Sequence, residues 1–283
     1  MRRAFLVLAL AIGSPPAAPA GAEGFRVIGH RGAAGSAPEN TAAALERARE
    51  LGLREVEIDL RLSRDGALVL FHDGTLDEKT DLAGRVDAHD LEALLEADIG
   101  SWFDRSHQEL PTRYAGTQLT TPAAAFARFG ADFFWHLEIK APAPAIPALL
   151  VAAVRAAKLD RRTMVSSFDE AQLLRVRELA PKLPLCQLVH RTRWGRKRPG
   201  PEAVTESAAA HGFAMVGIAA NELTRPRIER AHALDLEIRA FGIEDDAQLE
   251  HAISLGADGA TVDHPDRAFA LLRRLGASDP KTP

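Results

Sequence analysis

Short apolar runs alternate with longer stretches in which apolar residues recur every three or four positions, and the alternation continues along most of the chain. The runs at 25–29, 55–60, 135–139, 163–167, 184–189, 214–218, 237–241 and 259–262 read as eight strands. The stretches at 40–50, 122–129, 145–157, 170–179, 202–211, 225–233, 246–255 and 267–275 read as eight helices. Strict alternation of the two predicts a parallel sheet with helices packed outside it. Eight repeats of the unit predict an α/β fold closed as a (β/α)8 TIM barrel. An open, doubly wound sheet is the runner-up, because closure leaves no mark on periodicity.

One segment breaks the rhythm. More than forty residues, about 74–117, separate the second strand region from the next helix, with turn signals and one short helical pattern near 90–97. A structureless loop of that length is unusual in a compact domain. The segment therefore reads as an insertion after the second strand, a lid or subdomain at the barrel end where active sites gather. Trp102 and Phe103 inside it would either line an apolar groove or anchor the segment. The run 67–71 reads as the return arm of a hairpin turning at Asp65-Gly66.

Composition changes this picture little. The chain has 283 residues, 46% of them hydrophobic and 26% charged, as in an ordinary globular protein. A formal charge of −4 argues against a nucleic-acid partner. The one dense basic patch, 190–198, reads as a solvated loop or a lip that attracts anions. Residues 1–22 read as a signal peptide: Arg2-Arg3, an apolar stretch to Ile12, Pro15-Pro16, then small residues with A-x-A cleavage sites. That stretch is shorter than the ~20 residues a membrane span needs. The mature chain, with a net charge of −6, is expected to be exported to the periplasm or secreted, with a barrel over 23–276 and a tail at 277–283. No transmembrane segment is expected in it. Cys186 is the only cysteine, which excludes an internal disulfide and reads as a small buried residue.

The candidate chemistry lies near predicted strand ends. Glu57 and Asp59 are two apart on one strand and face the same side; Glu138 and Lys140 repeat the pattern on the next. Carboxylates turned into a barrel need a cation or donors. Three converging acids fit one hard divalent cation, Mg²⁺ or Ca²⁺. The bland alternative pairs Glu57 and Asp59 with Arg or Lys across the sheet. His30, in a Gly-His-Arg-Gly turn after the first strand, and His72, after the hairpin arm, are candidates for a divided acid–base role. Arg31 and Lys140 are natural phosphate partners. Glu39 reads equally as a second-shell anchor for His30 or as a first-turn acid of a helix capped by Asn40 or Thr41. The other eight histidines read as structural or surface residues. Ser166 and Ser167 lack the elbow motif of a serine hydrolase.

Taken together, His30-Arg31-Gly32, Pro38-Glu39-Asn40-Thr41, Glu57-Ile58-Asp59, Asp65-Gly66, His72-Asp73, Glu138-Ile139-Lys140, Ser166-Ser167-Phe168 and the end of the chain from Gly256 through Thr261-Val262-Asp263-His264-Pro265 occur in the order found in one family. Over 27–266 the sequence resembles the glycerophosphodiester phosphodiesterases. The resemblance implies a TIM barrel with an insertion after the second strand, and hydrolysis of small glycerophosphodiesters to glycerol 3-phosphate and an alcohol. It implies His30 and His72 as the acid–base pair, Glu57, Asp59 and Glu138 as ligands of one divalent cation, and Arg31 and Lys140 on the phosphate. Where the family often carries tryptophan at the end of the seventh strand, this chain has Phe241, an apolar substrate wall without an indole donor. The alternatives are a lysophospholipase D-like enzyme acting on lipids and a periplasmic glycerophosphodiester-binding protein without turnover.

Overall fold

The computed structural model describes residues 22, 24–140, 142–189, 192, 193, 196, 197 and 199–277. The expected signal peptide (all but Ala22), the tail beyond 277 and most of the basic patch lie outside the described residues.

Among the described residues eleven strands occur in chain order: β1 (Arg26–Gly29), β2 (Glu55–Leu62), β3 (Leu68–Leu70), β4 (Phe134–Ile139), β5 (Thr163–Ser167), β6 (Leu185–Val189), β7 (Thr192–Arg193), β8 (Arg196–Lys197), β9 (Met215–Ala219), β10 (Glu237–Phe241) and β11 (Gly259–Val262). The α-helices are α1 (Ala42–Glu50), α2 (Leu91–Glu96), α3 (Gly100–Ser106), α4 (Pro122–Phe129), α5 (Ile146–Ala156), α6 (Glu170–Leu179), α7 (Pro201–Ala210), α8 (Arg225–His232), α9 (Asp246–Leu255) and α10 (Pro265–Arg274). Eight strands pair in parallel in the order β1-β11-β10-β9-β6-β5-β4-β2, and β2 pairs back to β1 through Ile28 with Glu55 and Gly29 with Val56. That last pairing closes the barrel and removes the open-sheet alternative. The short strand β3 runs antiparallel to the end of β2, so the expected hairpin is present.

Period-two alternation sorts each strand into two environments. Val27, Val56, Ile58, Leu60, Trp135, Leu137, Ile139, Val165, Val216, Ile218 and Ile238 face outward and pack under the helices as one continuous core. The apolar residues of the lumen, Met164, Cys186, Leu188 and Met215, form a separate buried cluster. Cys186 is therefore the buried apolar residue anticipated. Helix starts are set locally: Thr41 and Thr121 accept the Ala44 and Ala124 amides, and Pro122 occupies the first turn of α4.

Between β3 and α4 the chain forms α2, a 3-10 turn at Val86–Ala88 and α3. The helix α3 was not anticipated. This segment has its own small core of Val69, Phe71, Leu76, Val86, Leu94, Ala97, Ile99 and Leu119. Phe103 is buried, stacked on His107 with ring centroids 4.0 Å apart, and Trp102 packs beside the segment core. Neither lines the large cavity described below. They anchor the segment rather than line a groove.

Candidate active site

The carboxyl ends of the barrel strands surround a cavity of about 860 Å³, and every anticipated site residue except Asp59 and Glu39 lines it. Asp59 and Glu39 lie just behind, fully and almost fully buried. The sharp turn after β1 carries much of the geometry. Arg31 and Asn40 both adopt left-handed backbone conformations, with φ of 51° and 57°. Such strain persists only where the surroundings hold it in place. It aims the Arg31 amide at Glu57 Oε2 (3.1 Å) and lets Asn40 clasp Asp59, donating to Oδ2 at 2.8 Å and accepting from the Asp59 amide at 2.9 Å. Gly32, at φ 92°, passes so close to α1 that a Cβ there would lie 2.8 Å from the Ala44 carbonyl carbon.

Glu57, Asp59 and Glu138 converge, with one oxygen of each lying within 4.8 Å of the others. Parallel pairing of β2 with β4 sets Asp59 directly beside Glu138. Among the described residues the Glu57 Oε1 atom is buried with no hydrogen-bond partner, whereas Asp59 Oδ1 and Glu138 Oε1 sit 3.2 and 2.7 Å from the Lys140 ammonium. Burial, then the neighbouring Asp59 and Glu138, push the Glu57 carboxyl well above the usual range. Burial acts on Asp59 in the same sense, but Lys140, His72, Arg31 and His30 outweigh it and hold that carboxyl well below the usual range. One uncompensated acid and three convergent oxygen donors are what a hard divalent cation would satisfy.

Each histidine is backed by an aspartate. His30 Nδ1 lies 2.6 Å from Asp263 Oδ1, and His72 Nδ1 lies 2.6 Å from Asp73 Oδ1. These contacts leave Nε2 as the working nitrogen of each ring. At His30 that nitrogen receives Arg31 Nε at 3.1 Å. Burial lowers the His72 pKa below its ordinary value, more than its bond to Asp73 raises it. Two guanidinium nitrogens of Arg61, at 2.9 and 2.5 Å, hold the His72 carbonyl.

The bland alternative for the acids is partly right: Arg31 Nε reaches Asp59 Oδ2 at 3.3 Å, and Lys140 bridges Asp59 and Glu138. Glu57 escapes such pairing. Glu39 matches neither expectation. It binds Arg31 Nη1 at 2.6 Å and Lys79 at 2.9 Å, not His30, and it precedes the cap Thr41 rather than sitting in the first helical turn. The anchor of His30 is Asp263, 233 residues away in sequence. Among the histidines read as structural, His136 is indeed buried against Glu55 (2.7 Å), whereas His264 lines the cavity. Phe241 lies on the opposite wall with Phe168, ring centroids 5.7 Å apart, and Leu188.

A closed (β/α)8 barrel with buried acids, backed histidines and cations at its carboxyl rim belongs to the class of phosphoric diester hydrolases. The glycerophosphoryl diester phosphodiesterase family model matches residues 30–267, and the chain belongs to that family. A glycerophosphodiester phosphodiesterase from Caldanaerobacter subterraneus is 30% identical over 88% of this chain and 98% of its own length. One from Bacillus subtilis is 26% identical over 84% of this chain and 83% of its own. Among solved structures, a phosphodiesterase from Oleispira antarctica in complex with the product sn-glycerol-3-phosphate superposes with a TM-score of 0.74 at 26% identity, covering 88% of this chain and 96% of that one. Among the described residues no helix is long and apolar enough to cross a membrane.

Proposed function

We propose that the protein hydrolyses glycerophosphodiesters to glycerol 3-phosphate and an alcohol, using one divalent cation, Mg²⁺ or Ca²⁺, and histidine acid–base catalysis. The observation that carries the proposal is two aspartate-backed histidines on the rim of a cavity into which three buried carboxylates converge. Glu57, Asp59 and Glu138 would hold the cation, which supplies positive charge to the phosphoryl oxygens. Arg31 and Lys140 would bind the phosphate, exchanging part of their carboxylate contacts for it.

His72 acts as the base in this scheme. Its pKa is lowered by burial, so the ring is neutral near pH 7 and its free Nε2 can take the proton of the attacking hydroxyl, whether from water or from the substrate's own glycerol. The proton for the departing alcohol then comes from His30, which Asp263 orients through Nδ1. Arg31 Nε must first leave His30 Nε2, and phosphate binding at Arg31 provides the reason to do so.

A second reading has its own observation in favour. A separate cavity of about 330 Å³ shares the Phe168 and Leu188 walls with the main one and is lined further by Val189, Ala203 and Val204, with Glu170, Gln187 and Ser207 as its polar members. A long chain carried on the glycerol, as in a lysophospholipase D substrate, would have room in such a chamber. We also propose export, on the N-terminal charge and hydrophobicity pattern; intact mass of the purified native protein, short by about residues 1–22, checks it.

One assay separates the readings. Full-length protein stripped with chelator is expected to release glycerol 3-phosphate from glycerophosphocholine only after Mg²⁺ or Ca²⁺ is restored, and His30→Ala to lose about 10²–10⁴-fold in kcat. Faster release of choline from lysophosphatidylcholine, with lysophosphatidic acid as the other product, than from glycerophosphocholine would favour the lipid reading. Undiminished turnover by the stripped enzyme, or by His30→Ala, would overturn the proposal.

A further inference from the structure

The two histidines are carried by different parts of the chain. His30 follows β1, whereas His72 follows β3 and opens the 74–117 segment. Backbone pairing connects the two arms only indirectly, through β2, which pairs with both β1 and β3. One side chain links their working ends more directly. Lys79 Nζ lies 2.8 Å from Asp73 Oδ2, the carboxylate whose other oxygen holds His72, and 2.9 Å from Glu39 Oε1, the carboxylate whose other oxygen holds Arg31. Arg31 in turn donates to His30. The ammonium is largely buried, with 13% of the side chain exposed, and sits 5.2 Å above the Trp102 ring. The chain of contacts therefore runs His72–Asp73–Lys79–Glu39–Arg31–His30, with Lys79 as its only link between the two carboxylates among the described contacts.

We infer that Lys79 is a positioning residue that sets His72 in register with the phosphate-binding Arg31 beside His30, so that the 74–117 segment contributes to catalysis as well as covering one side of the site. The inference rests on the acid–base reading of His30 and His72 proposed above. A bridging cation between two carboxylates does three things here. It fixes which oxygen each carboxylate offers its working partner, it neutralises one of two acids that would otherwise face each other across a partly dry gap, and Trp102 fixes its position by cation–π attraction. Removing it frees Asp73 and Glu39 to turn, and His72 and Arg31 then sample geometries independently. Since effective catalysis depends on sub-ångström placement, the loss falls on turnover rather than on affinity.

The test is a kinetic cycle on the holoenzyme with glycerophosphocholine. Lys79→Met, which keeps the stem over Trp102, is expected to lower kcat by about 10–100-fold while KM changes less than about threefold. Lys79→Arg, which can still bridge two acids, is expected to recover most of that loss. Asp73→Asn and Glu39→Gln are then combined in both backgrounds. Their effects on kcat are expected to be coupled by at least about fivefold with Lys79 present and to multiply independently in Lys79→Met. A fall in melting temperature with kcat intact, or the same coupling in both backgrounds, overturns the inference. Should Lys79→Met fail to fold, Lys79→Gln carries the same cycle. His72→Ala runs alongside: if that variant keeps full activity, the acid–base reading itself fails, which is a different outcome from a silent Lys79.

Discussion

The two halves of the barrel lumen are built on opposite principles. Toward β10, β11, β1, β2 and β4 most inward residues are charged or polar: Arg239, Thr261, His30, Glu57, Asp59, His136 and Glu138. Toward β5, β6 and β9, apart from Ser166, they include Met164, Cys186, Leu188 and Met215, an apolar cluster against which Phe134 of β4, Phe168 and Phe241 of β10 also pack. The apolar half is satisfied by shape, and the sulfur-bearing side chains fill an irregular space. In the charged half each ion needs a partner, and the partners nearly all exist: Lys140 for Asp59 and Glu138, Arg31 for Asp59, Glu55 for His136. The exceptions are informative. Glu57 Oε1, Arg239 Nε and Thr261 Oγ1 are buried without hydrogen-bond partners, and their side chains all line the cavity. Unsatisfied buried groups cost stability, and at the wall of this cavity a bound ligand would supply the missing contacts. One half of the lumen stabilises the barrel, and the other holds polar groups in readiness.

The largest expected effect follows from Glu57. Its carboxyl is pushed up by burial and by Asp59 and Glu138, so in the metal-free protein it is the acid least able to bear charge. Glu57→Gln keeps the shape and removes that demand. We expect about a 10³-fold fall in kcat with saturating metal, the scale of several kcal/mol of lost electrostatic assistance. In the absence of metal its melting temperature is expected to equal or exceed that of the parent, because a buried acid without a partner has been replaced by a neutral group. Thermal melts with and without Mg²⁺ check both arms. A metal-free variant that melts several degrees below its parent would mean that the charged half is a structural ion network rather than a set of metal ligands.

His72 gives the next effect, a pH dependence. Burial lowers its pKa below 6.5, partly opposed by Asp73 and Asp59. A base must be deprotonated to work, so activity is present above the folded pKa and falls as pH drops through it. The acid limb of kcat/KM should therefore lie below pH 6.5, and a bound dication displaces it further in the same direction. A pH–rate profile from 4.5 to 8 tests this. A limb above pH 6.5, or activity that rises on acidification, would exchange the roles of the two histidines.

Much of this arrangement was legible in the sequence, and the physical reasons differ by region. Parallel strands buried on both faces give continuous apolar runs, so all eight barrel strands appear within a residue or two of their predicted limits. The acids stood out because Glu57 and Asp59 interrupt such a run two residues apart. Pairings were much harder to see. Asp263 sits in a recognisable strand-end motif, but only barrel closure brings it to His30. Lys79 lies in an irregular segment with no periodicity to place it. Asn40 has the composition of a cap, yet its side chain serves Asp59 while Thr41 does the capping. The helix α3 escaped notice because it opens on Gly100, and glycine argues against a helix start when the neighbouring Tyr114 backbone that excludes any larger residue is unknown.

The smallest effect on chemistry is expected from the apolar half, and it sharpens the contrast most. Met215 is completely buried in the lumen cluster and is not among the residues lining the main cavity. Met215→Ala removes packed atoms and leaves a void that rigid strands close only in part, at about 2–5 kcal/mol. A domain with the usual margin of about 5–15 kcal/mol still folds at 25 °C. Because no charged partner is disturbed, kcat should stay within about twofold of the parent when measured well below the lowered melting temperature. Denaturant unfolding and steady-state kinetics on the same preparation decide the matter. If kcat instead falls more than tenfold while stability barely changes, the apolar wall is orienting the reacting groups, and the division of the lumen into a packed half and a reactive half does not hold. If both move together, Met215 supports the position of Phe241 or Leu188 on the cavity wall, and repeating the assay with Leu188→Ala shows whether the boundary between the halves lies at that wall.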